Sequence, residues 1–306
     1  MSIRALKASK GLVAKAQDSL PHWRAHARLE RLRGRIDDAR KVYRTVLAVD
    51  GAGTPSSGSL WWDWAEMEWL NSASDDALQV ILRSTGTNGS GRVVILRAKR
   101  ELDDICNCLP EDQWKEREAW VNLQALLELL TSTAAAMLAV FDGTLDRLTP
   151  QSESHESLTI ASLSMLYVHG TLLRNPVAPG ILRERAEAAI QLYPNNTILL
   201  GLFLEAEKGQ GVWGRVKLMF GDKDLASSEK GLHRTLAEIW AVGWEKGSWR
   251  VEEERIRNRF SVAMQSDRWV PSLSVLPSQL IMWCTDCEVV PFYGVYTSSS
   301  RSALDD

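Results

Sequence analysis

Four sets of residues in the sequence carry types that could do chemistry. Gly209-Gln-Gly211-Val-Trp-Gly214 spells G-x-G-x-x-G. That string holds a pyrophosphate when it follows a strand and opens a helix, so that bare N–H groups meet the phosphates. Here a helical Glu205-Ala-Glu-Lys208 run precedes it, and the string reads as a turn between helices. The four cysteines stand as Cys106-x-Cys108 and Cys284-x-x-Cys287. Zinc needs four converging thiolate or imidazole ligands. The two pairs sit far apart in the chain and none of the five histidines neighbours either, so they read as unliganded thiols. Glu252-Glu253-Glu254 beside Arg255, Arg257 and Arg259 reads as a solvated helix face. With no Ser elbow, His-Glu-x-x-His or paired-carboxylate motif, the residues predict no catalytic group, no metal and no cofactor.

The fourth set is basic. Arg24, Arg28, Arg31 and Arg35 fall at offsets 0, +4, +7 and +11, one ridge of a helix, and Lys41 and Arg44 add charge from the next element. A solvated face is the plain reading, and a contact for RNA or for an acidic partner is the functional one. The net charge of −3 excludes a protein whose whole surface binds nucleic acid, since phosphate binding needs a positive field; it leaves room for a local stripe.

The elements that must position these residues are helices. With 45% hydrophobic and 25% charged residues, the composition is that of a soluble globular chain. Thirteen Trp against five Phe and five Tyr is the outlier, and indoles recurring in helical segments anchor helix pairs. Met1–Leu20 mixes Lys and Arg with apolar residues and has no long apolar core, so no signal peptide is expected and the thiols are expected to be reduced. Without a secretory route, the sequons at Asn88 and Asn195 carry no weight. The apolar window Leu123–Phe141 holds Gln124 and Glu128 and reads as a buried helix rather than a membrane span.

Shifted by 38 residues, His22–Val46 aligns with Leu60–Ser84: Trp23 on Trp61, Ala27 on Ala65, Glu30 on Glu68, and Asp37-Asp38-Ala39 on Asp75-Asp76-Ala77. Each copy predicts two helices. The first bears Trp, Ala and Glu on one face and ends at Gly34, and Asp37 or Asp38 caps the second, whose stripe is Ala39, Val42, Tyr43, Val46 and Leu47. Trp23 and Trp61 are expected to wedge between helices, Glu30 and Glu68 to accept buried hydrogen bonds, and Ala39 and Ala77 to let helices approach. On this reading Arg40 serves Glu30, whereas Leu78 cannot serve Glu68. Further helices are predicted over Arg92–Asn107, Asp112–Phe141, His155–Leu173, Ile181–Leu192, Thr197–Lys208, Gly211–Phe220, Glu229–Lys246 and Val251–Gln265. Gly51–Ser59 and Asp142–Ser154 read as connectors. The fold class is therefore all-α, an α-solenoid of antiparallel helix pairs, because a lone pair cannot bury both of its faces.

His22-Trp-Arg-Ala-His-Ala-Arg-Leu-Glu30 and Asp38-Ala-Arg-Lys-Val-Tyr43 resemble the half-a-TPR (HAT) repeat. Tyr193-Pro-Asn-Asn-Thr197, Val212-Trp-Gly-Arg-Val216, Ile239-Trp-Ala241 and Arg255–Met264 resemble the necessary-for-RNA-interference (nuclear RNAi-defective) family. The resemblance implies a nuclear, non-enzymatic scaffold in RNA silencing, surveillance or processing. Its expected partners are proteins, among them a nuclear exosome-linked RNA helicase or splicing factors. Family members make the helicase contact through a segment ahead of the repeats, so a piece of a longer protein is expected. The organisation expected is HAT-like repeats over residues 1–141, a connector at 142–154, further repeats over 155–290 and a disordered tail at 291–306. Two rivals stand beside this reading. A TPR peptide adaptor would show a spacing near 34. A prenyltransferase α-subunit resemblance would need repeated Pro-x-Asn-Tyr-x-x-Trp motifs, of which only Pro194-Asn-Asn hints.

Overall fold

The computed structural model describes residues 3–16, 18–50, 54–87, 89 and 91–208. The Gly209–Gly214 string, the helices expected at Gly211–Phe220, Glu229–Lys246 and Val251–Gln265, the Cys284 and Cys287 pair and the tail at 291–306 lie outside them. Among the described residues all regular structure is helical. The chain forms two compact units, the first ending at Ser162 and the second beginning at Leu163.

In the first unit, α1 (Ile3–Lys15) packs on α2 (Leu20–Leu32) through Leu6, Ser9 and Val13, one face at +3 and +7. Helices α2 and α3 (Ile36–Asp50) pack as one hairpin, and α4 (Gly58–Leu70) and α5 (Ser74–Ser84) as the next. Leu20 and Gly58, Leu32 and Leu70, and Ile36 and Ser74 are helix ends that each differ by 38 residues, so the sequence repeat is a repeat of helix boundaries.

The turns repeat too. Gly34 takes φ +76° at the end of α2, its N–H bonds the Arg31 carbonyl, and the Arg35 N–H bonds that of Glu30. Ser72, 38 residues on, takes φ +60°, with Ser72 bonding Trp69 and Ala73 bonding Glu68 in the same pattern. This double bond from a left-handed residue satisfies carbonyls that a helix end leaves bare. Asp37 and Asp38 do not cap α3. They lie inside its first turn, where their charge meets the positive end of the helix dipole and pairs with Arg40 and Lys41 three residues on.

Beyond α6 (Arg92–Cys108), the single helix expected over Asp112–Phe141 is two, α7 (Trp114–Thr131) and α8 (Ala134–Leu145). The break falls at Ser132 and Thr133: Thr133 is extended and its hydroxyl accepts from the Ala136 N–H, which starts α8 afresh. The two halves fold back on each other. Helix α8 also runs four residues into the expected 142–154 connector, and α9 (Glu153–Tyr167) starts before its end. Helix α7 packs on both α4 and α5. At the first of these contacts Gly58 is pressed against Trp120: a Cβ there would lie 2.5 Å from the indole nitrogen, which donates to the Pro55 carbonyl. Glu116 of α7 receives the Ser59 N–H and hydroxyl, a remote carboxylate on the first turn of α4.

In the second unit, a π-helical turn at Val168–Leu172 follows α9, and α10 (Pro179–Leu192) packs on α11 (Thr197–Lys208). Asn196 caps α11, its side-chain oxygen accepting from the N–H groups of Ile198 and Leu199. Among the described residues no helix is long and apolar enough to cross a membrane.

Candidate functional site

The repeat residues are the core of the first two pairs. Ala27, Ala39, Ala65, Ala77 and Tyr43 are wholly buried, and Trp61, Glu30 and Glu68 nearly so. Trp23 is only half-buried, which corrects the expectation of two equivalent wedges: Trp61 is enclosed, whereas Trp23 is partly exposed. Aromatic stacking continues across the pairs, with Tyr43 of α3 lying 6.1 Å from Trp64 of α4 and Trp64 5.8 Å from Trp61, both nearly parallel.

The basic ridge of α2 faces α4. Asp63, buried among the tryptophans of α4, accepts two hydrogen bonds from Arg24 (2.8 and 3.0 Å) and two from Arg28 (2.6 and 2.8 Å). One turn on, Arg31 donates to Glu66 at 2.8 Å. Bidentate guanidinium–carboxylate pairs are the strong form of such bonds. Burial pushes the Asp63 carboxyl up, and the two guanidiniums together outweigh that, holding it below the usual carboxylate range. Sequence reading missed Asp63, which falls on Ala25 in the repeat; its signal was an acid set between Trp62 and Trp64.

The Arg40 expectation is corrected. Arg40 reaches forward to Glu68 of the next pair (2.7 and 2.6 Å), because α3 packs against α4, and the Trp64 indole N–H completes the carboxylate at 2.9 Å. Burial raises the Glu68 pKa, and Arg40 with Trp64 more than reverses it. Glu30 is held differently. Lys10, His26 and Arg35 each stand at 4.0 Å from it, and its Oε2 has no hydrogen-bond partner within the protein. Burial lowers the His26 pKa below its ordinary value, and its Nδ1 pairs with the Ser9 hydroxyl of α1 at 2.9 Å.

Of the six basic candidates, Arg24, Arg28 and Arg31 thus meet α4. Arg35 and Lys41 flank Asp38 at 3.9 and 3.4 Å, and Arg44 is exposed on α3. Near Arg24, burial raises the Glu118 carboxyl of α7 against a Ser157 hydrogen bond. Cys106, half-buried on α6, has its thiol pushed up to about 12 by burial, and Cys108 is exposed; both are free. Among the described residues no three His, Cys, Asp or Glu side chains are placed to share a metal ion.

No known protein family's sequence profile matches the chain. No solved structure matches it. The chain is similar to the Nuclear exosome regulator NRDE2 of Homo sapiens, with 24% identity over 286 residues that cover 79% of this chain. It spans 23% of the length of that distant relative, a regulator of the nuclear exosome.

Proposed function

We propose that this chain is a non-enzymatic HAT-like repeat adaptor that acts in the nucleus in RNA surveillance, silencing or processing by holding protein partners. The observation that carries the reading is the similarity to a nuclear exosome regulator over most of this chain. The 38-residue recurrence of helix ends and turns supports it, because stacked helix pairs offer long contact surfaces rather than a reactive cleft. The Arg40–Glu68 clasp supports it too, joining one pair to the next as a repeat array requires. On this reading two repeat arrays, expected over residues 1–141 and 155–290, stand on either side of a connector that α8 and α9 shorten to residues 146–152. The partners are an exosome-linked RNA helicase or splicing factors, and Arg24, Arg28 and Arg31 serve the array before any partner.

The test is capture of partners from nuclear extract by the tagged chain, with and without RNase, identified by mass spectrometry. Recovery of exosome-linked or splicing proteins that survives RNase supports an adaptor working by protein contact. A folded chain that recovers no nuclear RNA-processing protein contradicts it.

A further inference from the structure

The charge of the first unit is unevenly laid out. Residues 3–50 carry twelve Lys and Arg against five Asp and Glu, a net of +7 within a chain of −3. Residues 54–84 carry five acids and one cation, Arg83. The two segments meet at the seam already described, where Asp63, Glu66 and Glu68 take up Arg24, Arg28, Arg31 and Arg40. Setting those three acids against the basic segment still leaves an excess of four positive charges. The seam therefore does not exhaust the field, and the remainder lies elsewhere.

Distances trace where it lies. Lys10 of α1 stands 4.0 Å from Glu30, Arg35 stands 4.0 Å from the other oxygen of Glu30, Arg35 and Asp38 lie 3.9 Å apart, and Lys41 is 3.4 Å from Asp38. Lys7 lies one turn before Lys10, and Arg44 one turn after Lys41, both exposed. A line of cations thus runs from α1 over the α2–α3 turn and along α3, with the part-exposed Asp38 set between Arg35 and Lys41. Side-chain exposure is 61% for Lys10, 50% for Arg35 and 75% for Lys41, while Glu30 beneath them is 3% exposed. The heads are in water and the acid that gathers two of them is not.

We infer that this outer edge, Lys7, Lys10, Arg35, Lys41 and Arg44, is a binding face for the phosphate backbone of single-stranded RNA. Phosphate contacts need cations spaced along a line and reachable from solvent, with no apolar pocket between them. These five are exposed groups on long stems, and Arg35 and Arg44 among them carry guanidinium forks that match a phosphate, whereas the guanidiniums of Arg24, Arg28, Arg31 and Arg40 are engaged by Asp63, Glu66 and Glu68. The choice of RNA rests on the proposed RNA-linked role; the capture experiment tests that role, and the titration below, with purified components, tests the face alone.

The experiment is fluorescence anisotropy of the purified chain against a labelled oligouridylate over a range of salt concentrations. Lys10→Gln with Arg35→Gln and Lys41→Gln is expected to weaken binding roughly tenfold or more. The same variant should lower the salt slope by about 2, since each cation paired with a single-strand phosphate contributes about 0.7. Because Lys10 and Arg35 adjoin buried Glu30, Lys7→Gln with Lys41→Gln gives a second reading that leaves Glu30 undisturbed, and both variants must keep their helical circular dichroism. Arg97→Gln with Arg100→Gln on exposed positions of α6 removes the same type of charge off the face and is expected to leave binding unchanged. The inference is overturned if the chain does not bind the RNA, if the face variants bind as the parent does, or if the α6 control weakens binding as much. It is also overturned if polyglutamate of matched charge binds the face as tightly as the RNA.

Discussion

The first helix pair and the second are built on one template and hold their buried glutamates in opposite ways. In α4–α5, Glu68 is closed by a bidentate arginine from the preceding pair and by the Trp64 indole. In α2–α3, Glu30 occupies the same register and is just as buried, yet its cations, Lys10 from α1 and Arg35 from its own hairpin, stand off at 4.0 Å. The tryptophans differ in the same sense, Trp61 enclosed and Trp23 partly exposed. The template dictates which positions go inside; the neighbour in the stack dictates how well they are closed. Helix α1 packs on the first pair and brings Lys10 to 4.0 Å from Glu30, without the bidentate closure that Arg40 gives Glu68.

Four sets of substitutions test that difference. The largest effect is expected from the tryptophans: Trp61→Ala should cost about 3–5 kcal/mol and Trp23→Ala roughly half as much, read from urea midpoints at constant slope. Equal losses would mean that the two pairs are closed alike. Next, Arg40→Leu, which copies Leu78 into the first pair, strips Glu68 of its counter-charge. It should cost about 3 kcal/mol, the low end for a broken buried pair since Arg40 is itself 26% exposed. Glu68→Gln beside it should recover most of that loss.

Gly58→Ala should cost about 1–3 kcal/mol, because its Cβ must displace a wholly buried Trp120. Leu20→Ala, at the same register in the first pair, meets no such wall and should cost less in the same urea series. The smallest effect is in acid. Asp63 and Glu68 are held below their ordinary values of 3.8 and 4.5, so the stability they add is present above those values and is lost as pH falls through the lower folded ones. Asp63→Asn should therefore lower stability at neutral pH and flatten its decline below about pH 4. An unchanged acid slope would mean that Asp63 titrates as a free carboxylate.

Much of this fold was legible in the sequence, because the repeat offset carried its helix ends and its left-handed turns with it, even where Ser72 replaced Gly34. What failed did so for physical reasons. Aligning a repeat with itself cannot tell whether Arg40 serves its own pair or the next, since that depends on which helices touch in the stack. The break at Ser132 has no Gly or Pro to mark it, and Thr133 makes it with one hydroxyl. Helix α1 was hidden by its lysines, although Leu6, Ser9 and Val13 already marked a face. The basic ridge was visible as a ridge, and only the packing of α2 on α4 divides it into arginines that meet carboxylates and cations that face water.

The central claim is that successive helix pairs are locked into one array by charges that cross from one pair to the next. A double-mutant cycle over Arg40 and Glu68, with Arg40→Leu, Glu68→Gln and the double variant followed by urea unfolding, measures that coupling directly. An interaction energy of about 1.5–3 kcal/mol is expected, within the range for groups in one buried network. Additive losses, with no coupling beyond about 0.3–0.5 kcal/mol, would contradict it and leave the two pairs as neighbours that merely touch.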